Sequence, residues 1–126
     1  MEVRVLSVGQ CSSDDSRLAR VLAAQTGAEL VSTDTADEAM RLLTQEVFNL
    51  VFVNRLFDMD GSSGVDFIAE AKQAGVKVPM MLVSDYRDAQ ADAVTAGALA
   101  GFGKSELFGD RVGNVWRAAL GQEEKS

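Results

Sequence analysis

Five short, mostly apolar runs are spaced along the chain: Val3–Val8, Ala28–Val31, Leu50–Val53, Met80–Val83 and Ala98–Phe102. Leu50–Val53 (LVFV) and Met80–Val83 (MMLV) have no polar residue at alternate positions. That is the pattern of strands covered on both faces, as in a parallel sheet. In Ala98–Phe102 the small residues and Gly101 lower strand propensity. The gaps between the runs carry helical spacing instead. Leu18, Val21 and Leu22 share one face of a first helix, and Ala36, Ala39, Met40, Leu43 and Val47 follow the same spacing in a second. Thr35 with Glu38 gives that second helix a capping-box start. Val65, Ile68 and Ala69 line a third, which Gly75 is placed to end. A fourth, about Asp88 to Ala96, is rich in alanine, and a fifth, about Asp110 to Leu120, sets Val112, Val115, Trp116 and Ala119 on one face. The alternation predicts an α/β fold of the (βα)5 kind, a doubly wound parallel sheet with helices on both faces.

The length of 126 residues fits one domain, expected over residues 1–121, followed by a polar tail over 122–126 (QEEKS). A formal net charge of -7 repels nucleic acid and anionic lipid, so neither is an expected partner. Histidine is absent, which removes the commonest general base and zinc ligand, and Cys11 is the only cysteine, so no internal disulfide can form. Cys11 reads as a small buried hydrophobe. No apolar run approaches the ~18 residues of a membrane span, and the first ten residues are too short an apolar stretch for a secretory signal. The expectation is a cytoplasmic module, and not an enzyme.

In parallel α/β sheets, ligands bind beyond the carboxyl ends of the strands. The residues there are Gly9, Gln10 and Cys11 after the first run, Asn54 after the third with Asp58-Met59-Asp60-Gly61 beyond it, Ser84-Asp85 after the fourth, and Lys104-Ser105 after the fifth. Asn49–Asn54 with the following Asp58–Gly61, Pro79–Ser84, and Ala96-Gly97-Ala98 with Lys104 together resemble the receiver domain of bacterial response regulators, over about residues 1 to 121. The resemblance implies a flavodoxin-like, CheY-like sheet in the order 2-1-3-4-5. It implies a phosphorelay role in two-component signal transduction. In that family an aspartate at the Asn54 position takes a phosphoryl group from a histidine kinase. An acid pair after the first strand holds Mg2+, a Ser/Thr and a Lys bind the phosphate, and an aromatic on the fifth strand repacks with the switch.

The chain departs from this pattern where the chemistry sits. Asn54 is a neutral amide at the phosphoacceptor position. Gly9 and Gln10 stand at the acid-pair positions, so Mg2+ binding is expected to be absent or weak. Gly101 takes the switch position, with Phe102 one place later, and Ser105 replaces the proline that usually follows the lysine. The loop after Asn54 is one residue shorter than usual and lacks its proline. Ser84 and Lys104 remain of the phosphate-binding set.

Asp14 and Asp15 are the acids nearest the first strand, but they fall in a first helical turn, where carboxylates favour the dipole. Lys104 either stays solvated or bonds the Asn54 amide oxygen, with Asp58, Asp60 or Asp85 expected nearby to balance its charge. Leu107 and Phe108 read as buried. Exposed, they would enlarge an apolar patch beside the fourth and fifth helices. The reading that follows is a pseudo-receiver working through phosphorylation-independent contact with a protein partner, by the fourth and fifth helices, or through a homodimer. One alternative is a conventional phospho-receiver with an atypical acceptor, Asp58 or Asp60. Another is a flavodoxin-like small-ligand binder using Gln10–Ser13 at a helix start.

Overall fold

The computed structural model describes residues 2–122. The elements run β1 (Arg4–Val8), α1 (Ser12–Thr26), β2 (Glu29–Thr33), α2 (Ala36–Gln45), β3 (Leu50–Asn54), α3 (Gly64–Gln73), β4 (Met80–Val83), α4 (Arg87–Ala96), β5 (Leu99–Phe102), a 3-10 turn (Lys104–Glu106) and α5 (Arg111–Ala119). The five strands are parallel, in the order β2-β1-β3-β4-β5. Each successive strand residue faces the opposite side of the sheet. Leu6, Val8, Val51, Val53, Met80 and Leu82 therefore build one core with Ala39, Phe67, Ile68 and Ala93 of α2, α3 and α4. Val5, Leu50, Phe52, Met81, Val83 and Phe102 build the other with Leu18, Leu22, Val112 and Trp116 of α1 and α5. Phe52, Phe102 and Trp116 form an aromatic cluster there, with ring centroids 5.0, 5.4 and 5.2 Å apart.

The local signals act as the chemistry requires, with some departures. Thr35 caps α2 by accepting from the Glu38 amide at 3.2 Å, while the Glu38 carboxylate accepts from the Thr33 hydroxyl rather than closing a reciprocal box. α2 ends at Gln45, so Val47 lies outside it and is 79% exposed, not part of its core face. α3 buries Gly64, Phe67, Ile68 and Ala71; of the residues expected on its core face, Ile68 is buried, Val65 packs partly buried against the core, and Ala69 is half-buried. Gln122, first residue of the expected tail, donates its side-chain amide to Thr26 O at 3.0 Å; 123–126 lie outside the described residues. Among the described residues no helix is long and apolar enough to cross a membrane.

The pairing of β4 with β5 is irregular. Met81 pairs with Leu99 and Val83 with Phe102, so two residues of β5, Ala100 and Gly101, oppose Leu82. This is a bulge, and it sits beside the candidate site.

Candidate functional site at the carboxyl ends of the strands

Asn54 ends β3 half-buried. Its Nδ2 donates to Gly9 O at 3.0 Å and to Leu56 O at 2.8 Å. An amide nitrogen is the only end of this side chain that suits two carbonyl oxygens. Asn54 therefore ties the end of β3 to the end of β1 and to its own following loop. Gly9 closes the same arrangement from the other side. Its φ of +79° is a left-handed conformation, and a Cβ there would lie 2.3 Å from Phe57 Cδ1. The Gly9 carbonyl also accepts from Asp58 N at 2.9 Å. Phe57, in the shortened loop, is buried over the space where a side chain after β1 would stand.

Asn54, Ser84 and Lys104 line one cavity of about 360 Å3, together with Asp85, Arg55 and Tyr86. Ser84 is 8% exposed and its Oγ accepts from Tyr86 N at 3.1 Å. Lys104 bonds neither Asn54 nor any of the three acids expected near it. Its Nζ meets Asp14 Oδ2 at 2.6 Å. The carboxylate that balances this lysine comes from the first turn of α1, so Asp14 is more than a helix-dipole residue. Burial pushes the Asp14 carboxyl up, but hydrogen bonds from Lys104 and Cys11 and the charges of Lys104 and Arg17 hold it below its ordinary value. Its neighbour Asp15 shifts the other way. Burial raises it, aided by Asp34 and Asp14, against hydrogen bonds from Ser7 (Oγ to Oδ1, 2.6 Å) and Ser32.

Of the three acids expected near Lys104, Asp85 shares its cavity without pairing with it. Asp85 Oδ1 accepts from Ser105 Oγ at 2.6 Å, so Ser105 holds the β4–α4 loop to the β5 loop. Asp58 and Asp60 are exposed in the turn after Phe57 and line neither this cavity nor Lys104. Asp60 accepts from Ser62 N at 2.9 Å, and the Ser62 side chain, with that backbone bond, holds its carboxyl below the ordinary value. Gln10 is 2% exposed, and both polar atoms of its side chain lack a protein partner. Cys11 is half-buried and caps α1 without a side-chain hydrogen bond, and Asp14 and Asp15 fill the first turn where an anion would bind. A Mg2+ ion wants charged oxygens. Gly9 has no side chain or room for one, and Gln10 is neutral. Among the described residues, no group of three His, Cys, Asp or Glu side chains is arranged to hold a metal.

At the switch position the sequence reading missed a partner. A Cβ on Gly101 would lie 2.2 Å from Leu82 O and 2.8 Å from Gln90 Oε1. Gln90 of α4 occupies this ground. Its Nε2 donates to Leu82 O at 2.9 Å and Ser84 O at 3.0 Å, with a longer contact to Phe102 O at 3.5 Å, while its Oε1 accepts from Gly101 N at 3.1 Å. One side chain thus bridges the bulge and binds α4 to both strands. Phe102 is buried in the aromatic cluster on the α1–α5 side. Leu107 is buried, but Phe108 is 81% exposed, contrary to the expectation of burial, and it borders a groove with Arg20, Val21 and Ala24 of α1 rather than α4.

No protein-family model matches the chain, and no curated protein does. Solved structures do. NtrX from Brucella abortus superposes over 96% of this chain with a TM-score of 0.79 at 23% identity, and the chain spans 27% of that protein. A response regulator from Thermotoga maritima covers 97% of this chain and all of its own length, with a TM-score of 0.77 at 19% identity. An orphan response regulator of H. pylori covers 94% of this chain and 96% of its own, with a TM-score of 0.73 at 18% identity. The described chain has the fold of the response-regulator receiver domain.

Proposed function

We propose that this chain is a pseudo-receiver: a non-enzymatic signalling module that binds a protein partner through a constitutive surface on α4 and α5, without phosphorylation. The observation that carries the reading is the Asn54 amide. Its donors hold the Gly9 and Leu56 carbonyls, a task a carboxylate cannot perform. Asn54 is therefore a fitted strut, and not merely an aspartate lost. The filled space at Gly9, the neutral Gln10 and the capture of Lys104 by Asp14 support the same reading. The Gln90 bridge favours one packing of α4 on β5. A ligand acts on a switch only through differential affinity for its two states, and a phosphoryl group has no acceptor carboxylate here.

The test is incubation with acetyl phosphate or carbamoyl phosphate and Mg2+, read by intact mass, with beryllofluoride titration in parallel. The expected result is no adduct and no spectral change. An acid-labile phosphoryl adduct on Asp58, Asp60 or another side chain would establish an atypical phospho-receiver and overturn the proposal.

A further inference from the structure

Beyond the strand-end cavity lies a second, larger one of about 760 Å3, between the amino ends of α3 and α4. The two share Arg55, Leu56 and Tyr86. In the larger cleft the cations are poorly matched to the protein itself. The Arg55 guanidinium packs 4.7 Å from the centroid of the Tyr86 ring. Among the described residues neither Arg55 nor Arg87 forms an ion pair, although the chain carries 19 acidic residues against 12 basic ones. Arg87 is moreover the first residue of α4, where the helix dipole disfavours a cation.

Two of the three acids lining the cleft have local explanations. Asp66 and Asp88 stand in the first turns of α3 and α4, the ends that favour negative charge. Only Asp92, a turn further along α4, lacks one. The apolar surface is of the kind that anchors protein contacts: Leu56 is 46% exposed and Tyr86 is 63% exposed, beside two arginines.

We propose that this cleft docks an acidic segment of a partner protein. A carboxylate side chain forks onto Arg55 and Arg87, and an adjacent apolar side chain lies on Leu56 and Tyr86. The lining aspartates select against a compact polyanion, which would meet three carboxylates. They suit a peptide, whose backbone amides can donate to them. The net charge of -7 opposes an acidic partner at long range, so recognition is short-ranged. The inference does not depend on the proposed α4–α5 surface, although the cleft takes Arg87, Asp88, Ala89 and Asp92 from the amino half of α4.

The experiment titrates the full 15N-labelled chain, at about physiological ionic strength, with acetyl-Glu-Phe-Glu-amide, with its Gln and Lys counterparts, and with inorganic phosphate. The acidic peptide is expected to shift the amides of Arg55, Leu56 and Tyr86 to Ala89 in a saturating way. The Gln peptide should bind several-fold more weakly and the Lys peptide not at all. The double variant Arg55→Gln, Arg87→Gln should weaken the acidic peptide about tenfold, and Tyr86→Ala should also weaken it. Arg111→Gln on α5 should leave binding unchanged. All these side chains are at least partly exposed, and unchanged amide positions elsewhere will show that each variant folds. The proposal is overturned if no peptide binds, if the neutral or basic peptide binds as well as the acidic one, if phosphate alone gives the same shifts, or if the double variant binds normally.

Discussion

Replacing Gln90 by alanine should loosen the whole β4–β5 edge. The side chain makes three hydrogen bonds of 3.1 Å or less, to Leu82 O, Ser84 O and Gly101 N, and a longer one to Phe102 O. A typical net hydrogen bond contributes about 0.5–1.5 kcal/mol, and a donor left buried without a partner costs about 1–3 kcal/mol. Three good bonds therefore set a loss of about 2–4 kcal/mol. Two effects reduce it. Gln90 is half-buried, so water reaches part of the vacated site, and alanine returns a few tenths of a kcal/mol in helix propensity. The expected loss is about 2 kcal/mol, a sizeable part of the 5–15 kcal/mol typical of a domain.

Urea unfolding followed by circular dichroism measures this through the midpoint at unchanged slope. Amide exchange adds a local readout: the Gly101 N–H, protected by Gln90 Oε1, should exchange faster in the variant by much more than strand-centre amides such as Phe52. Gln90→Glu separates donor from acceptor. Its carboxylate still accepts from Gly101 N but faces the carbonyl oxygens of Leu82 and Ser84. That variant should be destabilised at neutral pH and recover as acid protonates the side chain. A Gln90→Ala variant within about 0.5 kcal/mol of the parent, the scatter of ordinary surface changes, with an equally protected Gly101 amide, would refute the bridge.

Asn54→Asp, which places a carboxylate at the end of β3, should destabilise by about 2–4 kcal/mol, because two donors are lost and a carboxylate meets two carbonyl oxygens; urea midpoints at neutral and acidic pH test this, with partial recovery expected in acid. Asp14 and Asp15 should give opposite pH linkage. The Asp14 carboxyl is held low in the fold, so its contribution is present above its unfolded value and fades as pH falls through the folded one. Asp14→Asn should cost about 1 kcal/mol at neutral pH, the upper part of the range for partly exposed pairs. The Asp15 carboxyl is held high, so its favourable contribution is present at low pH and lost as pH rises through the folded value. Asp15→Asn should be neutral or mildly stabilising near pH 7, and a clear loss there would contradict the assigned direction.

Strand and helix alternation was legible because buried parallel strands read as unbroken apolar runs, as LVFV and MMLV do, and the helix gaps carry their own spacing. The bulge in β5 was not. Gly101 reads as weak strand propensity, and its actual role depends on Gln90, a polar residue on an alanine-rich helix that looks like ordinary solvent-facing surface. The partner of Lys104 was hidden for a related reason. Asp14 in a first helical turn already has a sufficient local explanation, and only the packing of α1 against the β5 loop shows which cation reaches it. Phe108 misled in the opposite direction: hydrophobicity predicts burial, but burial of Leu107 turns the next side chain outward.

The residues at the strand ends are coupled to their surroundings in a way that bears on how such a site changes. Gly9 is fitted to Phe57, Asn54 to the Gly9 and Leu56 carbonyls, Gly101 to Gln90, and Ser105 to Asp85. A residue that merely lost a function would leave its neighbours unsatisfied or the space empty, as the unpartnered amide of Gln10 does. The four fitted pairs do neither, because the space or the hydrogen-bonding groups at each position are already taken up. Replacing any one of them therefore removes a native contact or forces a neighbour to move. The interactions also converge: Gly9 belongs to both the Phe57 and the Asn54 contacts, and Ser84 belongs to both the Gln90 bridge and the strand-end cavity. Neighbours that share partners are not additive. A carboxylate introduced alone at Asn54 would therefore meet the Gly9 and Leu56 carbonyl oxygens, and fitting it requires concerted change at β1, β3 and the loop carrying Phe57.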